Sequence, residues 1–387
     1  MVPVFVDTYF EGATPLRWEQ EEEGVIDLYV IHDHARFSPN QQFTQWDFKV
    51  HIPPERIGSS VRLRFARLNN CWNGRPSPAM KSKRVTSVVS YDGSTWLPLL
   101  GIPSETAEFA IEFELDLRSE STHFAHVVPY TDSRLQQRLN ALRPHPSVRI
   151  YDVGATVDGR PLEMVELGNT EAPNRIFLRA RAHPWETGGS WLLDGLMTLL
   201  TDDTPTSRAI LETTCFCLMP MSNKDGVHRG MTRFNVKGID LNRGWGVDTP
   251  HDPELVPENA CLQNWFSEQR RAGRLPQMAI CVHNDDNGRI HPSHPSIDPA
   301  GYAARLERFE GLLREETWFT EGMVGGSYRN SGTFGEGVTE LYGADAFIWE
   351  LNARWAEGLG RQPMHTDWQQ MGANLATVVQ RYFKADG

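Results

Sequence analysis

A histidine and a glutamate stand three residues apart in the stretch RARAHPWETGGSWLL, residues 179–193. His183 and Glu186 follow an apolar run typical of a strand and come directly before a segment typical of a helix. An acidic residue in the first turn suits the positive end of the helix dipole, so Glu186 could simply begin a helix. The pair could instead supply two ligands to one metal ion. The two interpretations predict different partners elsewhere in the chain.

Two further ionisable side chains stand at the ends of apolar, strand-like runs. QMAICV runs directly into His283, and AFIWEL contains Glu350. Ligands of open α/β sheets bind at the carboxyl ends of strands, and a carboxylate inside an apolar strand is costly unless it is paired, faces a cleft or lies near a cation. Two imidazoles and one carboxylate leave a fourth zinc position open for water, as in catalytic zinc sites. We therefore expect His183, Glu186 and His283 as ligands and Glu350 as general base.

The segment between the two ligand strands is rich in arginine and asparagine. It reads SNKDGVHRGMTRFNVKGIDLNRGW and spans residues 222–245. Guanidinium and amide groups of this kind could bind a carboxylate and stabilise an oxyanion. Asp240 could accept a hydrogen bond from the second ring nitrogen of a ligating histidine.

Five stretches, in chain order, resemble the zinc metallocarboxypeptidases, specifically the cytosolic carboxypeptidase-like branch. HPWE resembles the family's HxxE ligand pair, and NKDGVHRGMTRFNVKGIDLNRGW resembles its NPDG…R…GxDLNR segment. His283 stands where the second ligand histidine is expected, SYRNSG resembles the setting of the substrate-capping tyrosine, and AFIWEL resembles the strand that carries the base. YDGSTW and PYTDSRLQQRL resemble the branch's N-terminal β-sandwich and its junction with the catalytic domain. The resemblance covers nearly the whole chain.

The resemblance implies a role for each residue of the metal centre. His183, Glu186 and His283 would bind one zinc ion per chain, and Glu350 would activate the attacking water. Arg233 would polarise the scissile carbonyl and stabilise the oxyanion.

It also implies how the substrate is held. Asn242 and Arg243 would bind its C-terminal carboxylate, and Tyr328 would close over it. Asp240 would orient His183. The expected reaction is the removal of one C-terminal amino acid from a peptide or protein tail.

Two other functions stay open at this point. A zinc amidohydrolase acting on small N-acyl amino acids or cell-wall peptides would use the same ligands. A non-catalytic binding protein is the third alternative, although a complete ligand set with an intact base argues against it.

The sequence departs from the family pattern in several places. Lys224 replaces the proline of NPDG, and HNDDNG follows the strand where the branch has HGHS. Asp285 and Asp286 would add negative charge near the metal. Glu336, Glu340 and Asp345, within 333–345, would favour a basic or neutral substrate side chain if one of them faces the pocket, whereas Arg329 would favour an acidic one; the preference stays open. The rivals of His283 are the two histidines of IHPSHPS, His291 and His294, whose prolines indicate a loop.

Two kinds of secondary structure must position these residues. Up to about residue 125 the chain has short alternating runs broken by turn signals, which predict an antiparallel β-sandwich. From about residue 133 strand-like and helix-like segments alternate, which predicts a largely parallel or mixed sheet with helices on both faces. The resemblance implies that this sheet is of the eight-stranded zinc carboxypeptidase type. We expect domains at 1–127 and 128–387.

Composition narrows the function classes. The chain has 387 residues, and 38 basic against 50 acidic residues give a formal net charge of −12. This charge disfavours non-specific binding to nucleic acid or anionic membranes. No apolar stretch is long enough to span a bilayer, the N-terminus lacks a basic signal-like region, and five cysteines are a sparse, odd set. We therefore expect a cytoplasmic enzyme whose partner is a peptide or protein C-terminal tail; its oligomeric state stays open.

Overall fold

The chain divides into two compact units. The computed structural model describes residues 4–31, 33–66, 68–78, 85–104, 109–246, 250–325 and 332–384. The sandwich unit comprises Met1–Thr131 and Gly226–Gly238, and the α/β unit comprises Asp132–Asp225 and Ile239–Gly387. The boundary predicted at 127/128 stays a prediction. Nothing in the sequence pattern indicates that 226–238 belong with the first unit.

The sandwich unit is built from strands. They are β1 (Phe5–Asp7), β2 (Leu16–Glu19), β3 (Val25–Val30), β4 (Asp33–His34), β5 (Gln41–Gln42), β6 (Asp47–His51), β7 (Ser60–Ala66), β8 (Asn69–Trp72), β9 (Arg75–Pro78), β10 (Val85–Ser90), β11 (Leu97–Pro103), β12 (Phe109–Asp116) and β13 (Ser121–Ala125), with a 3-10 turn at Pro54–Arg56. Among the described residues, one sheet has the order β1-β6-β13-β10-β11-β12-β7-β3-β2 and a second has the order β4-β5-β8-β9. All pairings are antiparallel except that of β3 with β7.

One hydrophobic core holds the larger sheet together. Strand β11 pairs with both β10 and β12, so a single continuous sheet forms both layers. In β12 every second residue is buried, the alternation of a strand with one face on a core. The ring centroids of Phe113 and Phe124, on β12 and β13, lie 5.1 Å apart, and those of Phe65 and Phe124 lie 6.2 Å apart. The predicted antiparallel β-rich N-terminal region is confirmed.

The α/β unit alternates strands and helices. Its strands are β14 (Val148–Ala155), β15 (Pro161–Leu167), β16 (Asn174–Ala180), β17 (Thr214–Met219), β18 (Met278–Asp285), β19 (Ile290–Pro292) and β20 (Asp345–Asn352). Its helices are α1 (Asp132–Leu142), α2 (Thr187–Leu200), α3 (Pro205–Thr213), α4 (Lys224–His228, whose last three residues belong to the sandwich unit), α5 (Pro257–Arg271), α6 (Pro299–Glu316), α7 (Phe334–Tyr342) and α8 (His365–Lys384). Among the described residues, no helix is both long and apolar enough to cross a bilayer.

The sheet of the α/β unit is mixed. Its strand order is β14-β15-β17-β16-β18-β20-β19, with β17, β16, β18 and β20 parallel and the outer pairings antiparallel. The described residues therefore form seven strands where the eight-stranded type was expected. Four neighbouring parallel strands bring their carboxyl ends to one edge, where ligands of such sheets bind.

Helices cover both faces of this sheet, as predicted. On one face, Phe177 of β16 packs against Trp265 of α5 and Phe334 of α7, with ring centroids 5.3 and 5.9 Å apart. On the other face, Phe347 of β20 packs against Phe309 of α6 at 5.5 Å. The central strands β16 and β17 are buried on both faces, which suits the apolar run of β17.

Two glycines set the spacing between α2 and α8. A Cβ atom added to Gly372 would overlap the backbone oxygen of Leu192, and one added to Gly195 would overlap that of Gln369. The two helices can approach this closely only because both positions lack a side chain.

Replacing Gly372 should therefore destabilise the fold. We expect Gly372→Ala to lower the free energy of unfolding by about 1–3 kcal/mol, since overpacking forces the backbones apart. Gly311→Ala is the matched control, because Gly311 is also helical but has open space around it. That substitution should raise stability by about 0.4–1 kcal/mol through the unfolded state. Urea unfolding measures both, and equal effects would contradict the packing argument.

Candidate metal centre and active site

Three buried side chains converge at the carboxyl edge of the mixed sheet. The ligand atoms of His183, Glu186 and His283 all lie within 4.8 Å of one another. Only 3%, 3% and 0% of these residues is exposed. His183 and Glu186 lie in the turn between β16 and α2, and His283 lies within β18, which pairs in parallel with β16. Adjacent parallel strands therefore bring together residues a hundred positions apart.

The distances within this group suit a metal ion. Nδ1 of His183 lies 2.7 Å from Oε1 of Glu186, and Nδ1 of His283 lies 2.8 Å from Oε2 of the same carboxylate. The two Nδ1 atoms are 3.2 Å apart. Two ligands at zinc–nitrogen distance around a tetrahedral ion lie about 3.3 Å apart. The donor set and its spacing therefore fit zinc with one coordination position left over.

The protonation states also suit metal binding. Burial raises the pKa of Glu186, but the charges and hydrogen bonds of the two histidines outweigh it and bring the pKa to about 2. Burial lowers the pKa of His283 to about 4, although Glu186 opposes that shift. A lowered pKa favours the carboxylate form of Glu186 and the neutral form of His283, and these are the forms in which such groups bind metals.

The outward-facing nitrogens of both histidines have acceptors. Nε2 of His183 lies 3.1 Å from Oδ1 of Asp240, so the structure places the predicted orienting carboxylate beside its histidine. Nε2 of His283 lies 3.1 Å from the sulfur of Cys281. Sequence reasoning missed this cysteine, although its position two residues before His283 in a strand puts both side chains on one face.

Glu350 lies beside the second histidine. Strands β18 and β20 are parallel, and their register pairs His283 with Glu350. Both side chains therefore project from the same face of the sheet. Glu350 is half-buried, whereas Phe347, Ile348 and Trp349 before it are buried. The predicted general base thus lies next to the three candidate ligands at the edge of the sheet.

Helix α2 is capped by a residue from another strand. Glu186 occupies the N-cap position of α2 but makes no capping hydrogen bond, because its carboxylate faces the histidines. Oδ1 of Asn284 instead accepts a hydrogen bond from the backbone N–H of Gly188 at 2.9 Å. Nδ2 of Asn284 donates to the backbone oxygen of Leu351 at 3.1 Å. A Cβ on Gly188 would lie 2.6 Å from Nδ2 of Asn284, so glycine leaves room for this amide.

A buried arginine holds the loop that carries Asp240. Arg179 is fully buried in β16, and its guanidinium donates to the backbone oxygen of Leu241 at 3.3 Å. It also donates to Oγ of Ser222 at 2.8 Å and to Oδ1 of Asn259 at 2.9 Å. Asn259 binds the same Leu241 oxygen at 3.0 Å. The turn after Asp240 is thereby anchored to the sheet.

The predicted carboxylate-binding pair follows directly in this loop. Oδ1 of Asn242 accepts a hydrogen bond from the backbone N–H of Phe334 at 3.0 Å, which leaves its amide nitrogen to serve as the donor toward a ligand. Arg243 is half-buried, and its Nη1 donates to the backbone oxygen of Asn242 at 2.8 Å. Their role in binding substrate stays a prediction.

Two of the predicted site residues, Arg233 and Tyr328, are not among the described residues of the α/β unit. Arg233 belongs to the sandwich unit, where its backbone N–H donates to Asp33 at 2.6 Å and its guanidinium lies 4.8 Å from the ring centroid of Trp72. Its role at the oxyanion stays a prediction. Tyr328 lies outside the described residues, and so does Arg329.

The departures from the family pattern have local explanations. Lys224 is fully buried, and its Nζ lies 2.6 Å from Glu163 and 2.9 Å from Asp132. Asp285 accepts hydrogen bonds from the turn that follows it. Asp286 pairs with Arg354 at 2.9 Å, so the expected negative field near the metal is partly neutralised.

Neither the acidic segment 333–345 nor the rival histidines contribute to the described metal group. Glu336 completes the capping box of α7, Glu340 accepts from the backbone N–H of Ser296, and Asp345 pairs with Arg305. His291 and His294 are absent from the metal-binding group found among the described residues.

Comparison with known families supports the resemblance to zinc carboxypeptidases. Residues 135–277 match the family model for zinc carboxypeptidases. The matched region includes His183 and Glu186 and ends just before His283. Residues 135–277 are therefore similar to a zinc carboxypeptidase domain.

Relatives of the carboxypeptidase domain carry the same family name. Cytosolic carboxypeptidase 6 of Mus musculus is 27% identical over 262 residues, covering 63% of this chain and 46% of that relative. Cytosolic carboxypeptidase 1 of Mus musculus is 34% identical over 195 residues, covering 46% of this chain and 16% of that relative. The chain thus spans less than half the length of these relatives.

Solved structures support the fold. A metallo-carboxypeptidase from Burkholderia cenocepacia has a TM-score of 0.83 at 19% identity, covering 100% of both chains. A metallo-carboxypeptidase from Pseudomonas aeruginosa has a TM-score of 0.79 at 21% identity, covering 98% of this chain and 100% of that chain. These likenesses concern the fold, including the N-terminal β-rich region.

Removing the Asn284 cap should destabilise the carboxypeptidase domain. Asn284→Ala leaves the Gly188 N–H and the Leu351 oxygen without their side-chain partner, which we expect to cost about 1–3 kcal/mol of unfolding free energy. Asn287→Ala is the matched control, because that side chain is exposed and its amide donates to Asp285 at 3.2 Å; its effect should stay within about 0.5 kcal/mol. Urea unfolding of the metal-free variants gives both values. Equal losses would show that Asn284 is not the cap.

Proposed function

We propose that this protein is a zinc-dependent carboxypeptidase that hydrolyses the C-terminal peptide bond of peptides or protein tails. The observation that carries the proposal is the buried group of two imidazoles around one carboxylate, with Glu350 in register with His283 on the neighbouring strand. The names of the relatives support a cytoplasmic location and a C-terminal tail as substrate.

His183, Glu186 and His283 would hold the metal. Bound zinc supplies a Lewis acid that polarises the scissile carbonyl and lowers the pKa of a ligated water. The protein's part is to keep three ligands deprotonated in a buried place and to leave one coordination position free. The hydrogen bond of His183 to Asp240 keeps that ring in one orientation.

Glu350 would transfer a proton from the attacking water to the leaving amine. Its carboxylate accepts a proton from the attacking water while the water oxygen bonds to the carbonyl carbon. The same proton then passes to the amide nitrogen as the carbon–nitrogen bond breaks, which releases the C-terminal amino acid as a neutral amine. Glu350 is half-buried and in register with His283, which supports its assignment as the base.

Asn242 and Arg243 would select substrates that end in a free carboxylate. The amide nitrogen of Asn242 and the guanidinium of Arg243 both donate hydrogen bonds, and Arg is suited to bidentate carboxylate binding. The hydrogen bonds of Asn242 with Phe334 and of Arg243 with the Asn242 backbone support this role, because they restrict both side chains.

Removing the base should abolish turnover without removing the metal. We expect Glu350→Gln to lower kcat about 10²–10⁴-fold, because glutamine cannot accept the water proton. Zinc content, measured by atomic emission on the same sample, should stay at one ion per chain. Glu357→Gln, an exposed position on the segment that follows β20, is the matched control and should keep wild-type activity. Wild-type activity in the Glu350 variant would contradict the assignment.

Peptides without a free C-terminal carboxylate should not be cleaved. We expect peptides with a free C-terminus to be shortened by one residue, and their C-terminal amides to be left intact, because Asn242 and Arg243 need an anion to bind. Mass spectrometry of peptides ending in Glu, Asp, Lys or Leu, with a chelator control, measures both. Cleavage of N-acyl amino acids in preference to peptides would favour the amidohydrolase alternative, and cleavage inside the chain would contradict both.

A further inference from the structure

The two candidate histidine ligands are oriented by chemically different acceptors. Each histidine directs Nδ1 toward the centre of the metal group and Nε2 away from it. Nε2 of His183 lies 3.1 Å from Oδ1 of Asp240, the residue that the sequence predicts as its hydrogen-bond acceptor. Nε2 of His283 meets the sulfur of Cys281 at 3.1 Å, and in the described part of the chain this sulfur is its only hydrogen-bond partner.

Strand geometry fixes the contact between Cys281 and His283. The two residues are separated by one position in β18, so their side chains project from the same face of the sheet. Both are completely buried. Water therefore cannot replace the sulfur as acceptor without a change in packing, and an N–H left unpartnered there would be costly.

The hydrogen on Nε2 decides whether His283 can bind a metal. A neutral imidazole carries one hydrogen, and the nitrogen without it supplies the lone pair. An acceptor at Nε2 holds the hydrogen on that atom and leaves Nδ1 free for the metal. A sulfur at hydrogen-bonding distance can play this part, although it is a weaker acceptor than a carboxylate.

We propose that Cys281 is a positioning residue of the metal centre, whose sulfur accepts the Nε2–H hydrogen bond of His283 and fixes both its tautomer and its ring orientation. This inference rests on the proposed function, since it concerns the ligand role of His283. The neutral thiol also leaves His283 a weaker electron donor than His183, whose partner is a carboxylate. A metal bound here would therefore keep more of its positive charge than a metal in a site where both ligand histidines donate a hydrogen bond to a carboxylate.

Zinc affinity tests the inference directly. Zinc dissociation constants for the full chain are measured by competition with a chromophoric chelator. Loss of an outer hydrogen bond of this kind typically weakens metal binding about 10–100-fold, and we expect that loss for Cys281→Val, which has similar volume but no acceptor. Cys281→Ser retains an acceptor and should recover much of the affinity. Cys215→Val is the matched control: a buried cysteine on β17, away from the ligands, which should bind zinc like the wild type.

Two further measurements separate positioning from a packing defect. Thermal unfolding of the metal-free variants reports any loss of stability that Cys281→Val and Cys215→Val share. The absorption spectrum of the cobalt-substituted protein reports the ligand geometry, and it should change in Cys281→Val and return toward wild type in Cys281→Ser.

The outcomes distinguish the inference from the function on which it rests. A wild-type protein that binds no zinc would overturn both. Zinc in the wild type, with the same affinity and cobalt spectrum in Cys281→Val, would overturn only the role of Cys281. Equal weakening in Cys281→Val and Cys215→Val, with no recovery by serine, would also reject it, because the effect would then come from packing.

Discussion

The arrangement depends on one carboxylate buried between two imidazoles. Glu186 is 3% exposed, and each of its oxygens lies within 2.8 Å of a histidine nitrogen. Keeping an ionised group out of water costs several kcal/mol unless cations and hydrogen bonds compensate it. A divalent ion held by all three side chains would supply that compensation. The residues around the centre hold His183, Glu186 and His283 in place despite the free-energy cost of burying a charged group.

Because Glu186 is committed to the histidines, other residues must complete the turn in which it lies. The N-cap position of α2 would ordinarily use its own side chain, but here Asn284 supplies the acceptor from the neighbouring strand. The same amide reaches the backbone next to Glu350. One side chain thus links the beginning of α2, the strand of His283 and the strand of the proposed base. Glu186 therefore begins α2 without capping it, and its carboxylate stays available for the proposed metal.

Sequence patterns predicted those site residues that lie at or near the ends of strands. His183, His283 and Glu350 each follow or interrupt an apolar run, and parallel strands bring such positions to one edge. Cys281 and Asn284 could not be assigned this way, because their roles depend on rotamers and on register between strands. For Asn284 the sequence showed only a difference from the family pattern, since HNDDNG has asparagine where HGHS has glycine.

Other parts of the prediction failed or stayed open for local reasons. The acidic residues of 333–345 suggested a substrate preference, but their carboxylates are engaged in a helix cap, a backbone contact and an ion pair. Lys224 replaces the family's proline and is a buried cation paired with two carboxylates, which no local pattern indicates. Packing of 226–238 with the sandwich unit is a tertiary property that no local pattern encodes. The β-rich beginning and the alternating remainder were predictable because periodicity reports local burial.

Anomalous diffraction at the zinc edge from zinc-loaded crystals tests the central claim most directly. The account predicts one anomalous peak per chain, about 2.0–2.2 Å from Nδ1 of His183, Nδ1 of His283 and a carboxylate oxygen of Glu186. A chain without a peak at these residues, or with zinc bound to the sulfur of Cys281, would contradict it.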